Sequence, residues 1–123
     1  MDRRKTTRDL ARQYRAGEKL IMVTCYDYTF ARLVQKADID IILIGDSLGN
    51  VVQGHDTTLP VEVEDIIYHS RAVSRGNTKA LIIADMPFMS YQASDDAGVH
   101  HAGRMLKEGA AQAVKVEGGA HLA

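Results

Sequence analysis

Ile41 to Asn50 read IILIGDSLGN. Four bulky apolar residues that stop abruptly at a glycine describe a short strand buried on both faces, and such strands belong to parallel sheets covered by helices. In those folds ligands and reactive groups collect beyond the carboxyl ends of the strands, so Asp46, one step past the run, is a candidate site residue with Ser47 beside it.

Working outward, the same grammar repeats on both sides. Phe30, Leu33, Val34 and Ala37 recur at i, i+3, i+4 and i+7, so Thr29 to Lys36 is expected to be an amphipathic helix feeding a strand over Ile39 to Ile44. Before that helix, Leu20 to Thr24 (LIMVT) reads as another buried strand followed by Cys25, Tyr26 and Asp27. A first helix over about Thr6 to Ala16 closes at Gly17. Downstream, Ser47 to Leu59 has loop chemistry, and Pro60 stands where a helix can begin. That helix shows Val63, Ile66, Ile67 and Val73 on one face and ends near Gly76. Leu81 to Ala84 is the third strand, followed by Asp85 and a packed loop containing Met86, Phe88, Met89 and Tyr91. Ser94 caps a helix with an acidic first turn and a buried face of Gly98, Ala102, Met105 and Leu106. Ala113 to Val116 is the fourth strand, carrying Lys115 and ending at Glu117 before Gly118 and Gly119. Strands alternating with helices predict an α/β fold with a parallel sheet.

Asp46, Asp85 and Glu117 each follow a predicted strand, so a parallel sheet brings them to one rim. Three converging carboxylates repel one another unless a cation or protons intervene, and an all-oxygen set favours a hard ion, Mg²⁺ before Zn²⁺. The plain alternative is that each caps a helix or hydrates a turn. Lys115, two residues before Glu117, lies on the same strand face and offers an ammonium to an anionic substrate or a salt bridge to the acids; the two roles are compatible. Ser47 is either a donor to a ligand oxygen or turn chemistry. GDSLGN lacks the lysine and spacing of a phosphate-binding loop. His100 and His101 point about 100° apart on a helix and cannot share a metal. His69 reads as packing, His55 as a loop residue of either role, and Cys25 has no placeable partner that would activate it as a nucleophile.

Composition bounds the rest. At 123 residues, 46% apolar and 25% charged, the chain is expected to be a single soluble globular domain, 1–123, rather than a disordered one. A net charge of -1 with no basic stripe disfavours nucleic acid and anionic membrane as partners. The lone Cys25 excludes an intramolecular disulfide and fits a reducing compartment. No apolar run approaches membrane-spanning length, and the basic start MDRRKTTR is not followed by a signal-peptide core, so a cytoplasmic protein is expected.

The segments TCYDYTFARL (Thr24 to Leu33), IGDSLGNVVQGHDTTLPV (Ile44 to Val61), YHSRAVSRG (Tyr68 to Gly76), ADMPFMSY (Ala84 to Tyr91) and VKVEGG (Val114 to Gly119) together resemble the ketopantoate hydroxymethyltransferase family. The resemblance implies a (β/α)₈ barrel of TIM type, of which this chain supplies about the first four βα units plus an N-terminal helix, and a homo-oligomer. It implies hydroxymethyl transfer from methylenetetrahydrofolate to 3-methyl-2-oxobutanoate, giving 2-dehydropantoate in pantothenate biosynthesis. By motif, Mg²⁺ falls to Asp46, Asp85 and Glu117, and the oxo acid to Asp46, Ser47, Asp85 and Lys115, with the metal stabilising the substrate enolate. The family's general base matches no residue here, because family chains are about twice as long; little turnover is expected of the chain alone. Two other readings remain open. A receiver-like phospho-acceptor domain shares the length, clustered acids, hydroxyl residue and lysine, but needs five strands and an acidic pair after the first. A non-catalytic half-barrel acting in assembly is the other.

Overall fold

Four strands, Met22–Thr24 (β1), Ile41–Ile44 (β2), Leu81–Asp85 (β3) and Ala113–Lys115 (β4), pair in parallel in the order β1-β2-β3-β4 in the computed structural model, which describes residues 3–122. The first two residues of the basic start MDRRKTTR lie outside that range. Helices Thr7–Arg15 (α1), Tyr28–Lys36 (α2), Leu48–Val51 (α3), Val63–Gly76 (α4) and Asp95–Lys107 (α5) complete the chain with a 3₁₀ turn at Ala120–Leu122. Registers of Thr24 with Leu43, Ile44 with Ala84 and Asp85 with Lys115 align the carboxyl ends of neighbouring strands. Among the described residues no helix is long and apolar enough to cross a membrane.

Strand order decides between architectures. A receiver-like sheet is doubly wound, with helices on both faces and its first strand inside the sheet. Here the order is sequential, and the packed core lies on one face: Ile42, Ile44, Ile82 and Ala84 are fully buried with Ala31, Ile66, Val73 and Met105 of the helices. The alternating residues Leu43 and Ile83 are only half-buried. This singly wound sheet is compatible with part of a TIM-type barrel and not with a receiver. The expectation of burial on both faces holds for β2 and β3 at Ile41 and Leu81, which are buried, and fails at the half-buried Leu43 and Ile83. β1, paired only with β2, leaves Met22 51% exposed, and β4 is half-buried along its length.

Most element boundaries follow local chemistry. Thr6 caps α1, accepting from the Asp9 amide while the Asp9 carboxylate takes the Thr6 amide, and Gly17 ends the segment at φ +78°. β1 starts two residues later than expected because the Ile21 amide donates to the Asp40 carboxylate (2.8 Å) before the ladder begins. Asp40 is buried and paired with Lys5. Val116 falls outside β4. α4 begins at Val63 rather than at Pro60, since the Asp65 carboxylate accepts from the Glu62 amide at 2.9 Å and fixes the first turn there. The expected Ser47 to Leu59 loop instead opens with α3, nucleated by the fully buried Leu48. Ser94 caps α5 through the Ala97 amide as expected.

The predicted face of α2 is rotated, and that of α5 holds except at Leu106. In α2 the residue that enters the core is Ala31, while Phe30 and Leu33 are exposed. The cause is the crossing with α4: Gly76 brings the α4 backbone so close that only a small side chain fits between them. In α5 Met105 is buried but Leu106 is 47% exposed, and after β3 Phe88 and Met89 face outward while Met86 is buried. The predicted α4 face of Val63, Ile66, Ile67 and Val73 is buried throughout. At the other end of the sheet Arg4 closes α4, its guanidinium donating to the carbonyls of Asn77 (2.7 Å), Ala80 (2.7 Å) and Ser74 (3.2 Å).

Candidate active site at the strand ends

Beyond the carboxyl ends of β2, β3 and β4 the structure gathers the predicted charged residues. The Asp46 amide donates to Asp85 Oδ2 at 3.0 Å, tying the end of β2 to that of β3. Lys115 is the register partner of Asp85, so its ammonium reaches Asp85 Oδ1 at 3.1 Å and, two residues on, Glu117 Oε1 at 2.6 Å. Asp85 is buried, Asp46, Ser47 and Lys115 are half-buried and Glu117 is exposed. Lys115 therefore stands between two of the three acids. Among the described residues no three His, Cys, Asp or Glu side chains are grouped to hold a metal ion as placed.

Electrostatics leave Asp46 as the uncompensated member. Burial first and the neighbouring Asp85 charge second push its carboxyl above the usual range; a hydrogen bond with Thr58 opposes them, and the charges of Glu117, raising, and Lys115, lowering, contribute less. Glu117 is held below its usual range by its hydrogen bond to Lys115. The Lys115 ammonium is raised by Glu117 first and Asp85 second, against burial.

A raised carboxyl binds its proton more tightly folded than unfolded, so Asp46 costs stability once pH rises through the window from the ordinary carboxylate value (about 3.9) to its raised one, and above it. Asp46→Asn is expected to raise the Tm of the metal-free chain at pH 7. The gain should vanish at pH 3. A calorimetric scan at both pH values checks this.

Several predicted bystanders have defined roles. Asp27 caps α2, accepting from the Phe30 amide at 2.8 Å, and is not part of the acidic group. Cys25 is buried, and burial raises its thiol above the usual value, against nucleophilic use. His69 Nδ1 bonds the Tyr26 carbonyl at 2.6 Å, and His101 Nδ1 bonds the Ser90 carbonyl at 2.7 Å, so each packs its loop. His55 is exposed in the loop after α3. Ser47 does not serve as an N-cap; its hydroxyl meets that of Tyr26 at 2.5 Å. Tyr26 and Tyr91, whose hydroxyl bonds the main chain of Glu117, are the neighbours that periodicity did not single out. A hollow of about 550 Å³ lies at the opposite end beside Lys5, Asp9 and Lys79; Lys5 and Asp9 are already paired within the fold.

Fold and site together define an α/β protein with acids and a lysine gathered at the carboxyl ends of parallel strands. The family model described as ketopantoate hydroxymethyltransferase matches residues 4–123, and the chain belongs to that family. It is similar to proteins named 3-methyl-2-oxobutanoate hydroxymethyltransferase. It is 59% identical to that of Dechloromonas aromatica over 98% of this chain and 44% of the relative. For Geobacter sulfurreducens the figures are 52%, 99% and 46%, and for Chloroflexus aggregans 54%, 98% and 43%. The chain thus spans slightly under half the length of these curated relatives.

Proposed function

We propose that the strand-end cluster is the oxo-acid and cation site of a hydroxymethyltransferase that moves a one-carbon unit from methylenetetrahydrofolate to 3-methyl-2-oxobutanoate, forming 2-dehydropantoate. The observation that carries this reading is the convergence of Asp46, Asp85, Lys115 and Glu117 through strand register, on a chain whose relatives bear that name. The reading includes a (β/α)₈ barrel to which this chain contributes four strands, a cytoplasmic setting and a homo-oligomer.

The donor set fits a hard divalent cation. It is all oxygen, and three carboxylates at the strand ends face the single ammonium of Lys115. Asp46, Asp85 and Glu117 would hold Mg²⁺, which when bound supplies Lewis acidity towards the substrate carbonyl. Ser47, its hydroxyl oriented by Tyr26, donates to a substrate oxygen. Lys115 stays an ammonium because its two acids raise its pKa. It balances the substrate carboxylate and lies near the oxygen on which charge develops when the C3 proton leaves. No residue of this chain is assigned as the base.

Isothermal titration of 3-methyl-2-oxobutanoate in the presence of Mg²⁺ tests the assignment. Saturable binding is expected, weakened about tenfold in Lys115→Met, as for loss of one charge-assisted contact. Wild-type affinity in that variant would refute the role of Lys115.

A further inference from the structure

Glu117 stands just beyond the end of β4, where the sheet no longer holds the chain. The last bond across to the neighbouring segment is from the Met86 amide to the Lys115 carbonyl, 2.9 Å, and Gly118 and Gly119 follow. What replaces the ladder is one side chain. The Tyr91 hydroxyl accepts from the Glu117 amide at 2.9 Å and donates to the Glu117 carbonyl at 2.9 Å, so a single phenol engages both main-chain polar groups of that residue. Among the described residues no other hydrogen bond reaches the Glu117 main chain. The ring is itself held. Tyr91 packs on the core cluster, and Gly98 of α5 lies so close to the base of the residue that a Cβ there would fall 3.1 Å from Tyr91 Cβ.

We propose that Tyr91 is the positioning residue for Glu117: by holding the Glu117 backbone it keeps the carboxylate on Lys115 beside Asp85, and so sets the affinity of the strand-end cluster for a divalent cation. This rests on the proposed function only for the cation; the hydroxyl clamp is a feature of the fold. Residues that orient a metal ligand without touching the ion commonly change affinity 10- to 100-fold when lost. A phenylalanine keeps the ring packed on the core cluster and removes only the clamp.

The test is a titration of Mn²⁺ into the chain, followed by loss of the free-ion electron paramagnetic resonance signal, with amide hydrogen exchange at Glu117 measured in parallel. Tyr91→Phe is expected to weaken Mn²⁺ binding at least tenfold. It should also speed exchange at the Glu117 amide, with Tm little changed. Tyr14→Phe, an exposed tyrosine on α1, should leave both as in the wild type. Unchanged Mn²⁺ affinity or unchanged Glu117 exchange in Tyr91→Phe overturns the inference, while loss of binding in Asp46→Asn and Asp85→Asn would still uphold the cation site. If the wild type takes up no Mn²⁺, or those two variants bind as well as it does, the cation site is wrong and the inference falls with it.

Discussion

Asp85→Asn is expected to weaken Mg²⁺-dependent binding of 3-methyl-2-oxobutanoate by more than about 100-fold, beyond the 10- to 100-fold typical of residues that only support a metal ligand. The reason is position. Asp85 is the buried hub of the cluster, one oxygen taking the Asp46 amide and the other the Lys115 ammonium. Asparagine has the same shape and can still accept from Asp46, so the fold should survive. What disappears is the charge that balances Lys115 and that a divalent cation would need. Lys115 retains Glu117, which limits the damage to stability. Titration calorimetry with and without Mg²⁺ checks the outcome, and a variant that binds within threefold of wild type would remove Asp85 from the site.

Gly76→Ala should be the most destabilising single-methyl change. A Cβ at Gly76 would lie 2.5 Å from the Tyr28 carbonyl oxygen and 2.8 Å from Ala31 Cβ, and the first of these is backbone. Neither α2 nor α4 can yield cheaply, because Ala31 and Val73 are fully buried in the shared core and the Asn77 side chain, itself buried, donates to the Ala31 carbonyl at 3.3 Å. Overpacking of this kind costs about 3 kcal/mol, and thermal unfolding should show Tm falling by roughly 10 °C. A fall of less than about 2 °C would mean that the two helices slide apart freely.

The parallel sheet and the acidic rim were legible because both follow from the period of the sequence and from register. A run such as IILI, cut by Gly45, can be placed as a strand without knowing its neighbours. Once strands run parallel, Asp46, Asp85 and Glu117 must share an end. Lys115 was legible from its spacing of two before Glu117, whereas its register with Asp85 is visible only in the paired sheet. The face of α2 was not legible, because Phe30 and Leu33 fit a helical period, whereas the rotation of α2 is set by the contact of Gly76 with Ala31, which no single-helix pattern encodes. The start of α4 departs from Pro60 because the bond from the Glu62 amide to Asp65, not the proline, fixes the first turn. Tyr26 and Tyr91 were missed as supports because loop side chains have no period. The signal at hand was a tyrosine within two residues of a strand end in CYD, and one loop away in ADMPFMSY.

The central claim is that this cluster is the substrate-binding part of a hydroxymethyl transfer site, and it is tested most directly by product formation. The chain would be combined with a separate polypeptide carrying the remaining part of the Dechloromonas aromatica relative, and 2-dehydropantoate measured from 3-methyl-2-oxobutanoate and methylenetetrahydrofolate. The account predicts Mg²⁺-dependent product with the wild-type chain and its loss with Asp46→Asn or Asp85→Asn. Product formed equally well with those variants would contradict it, as would no product from a pair shown to associate.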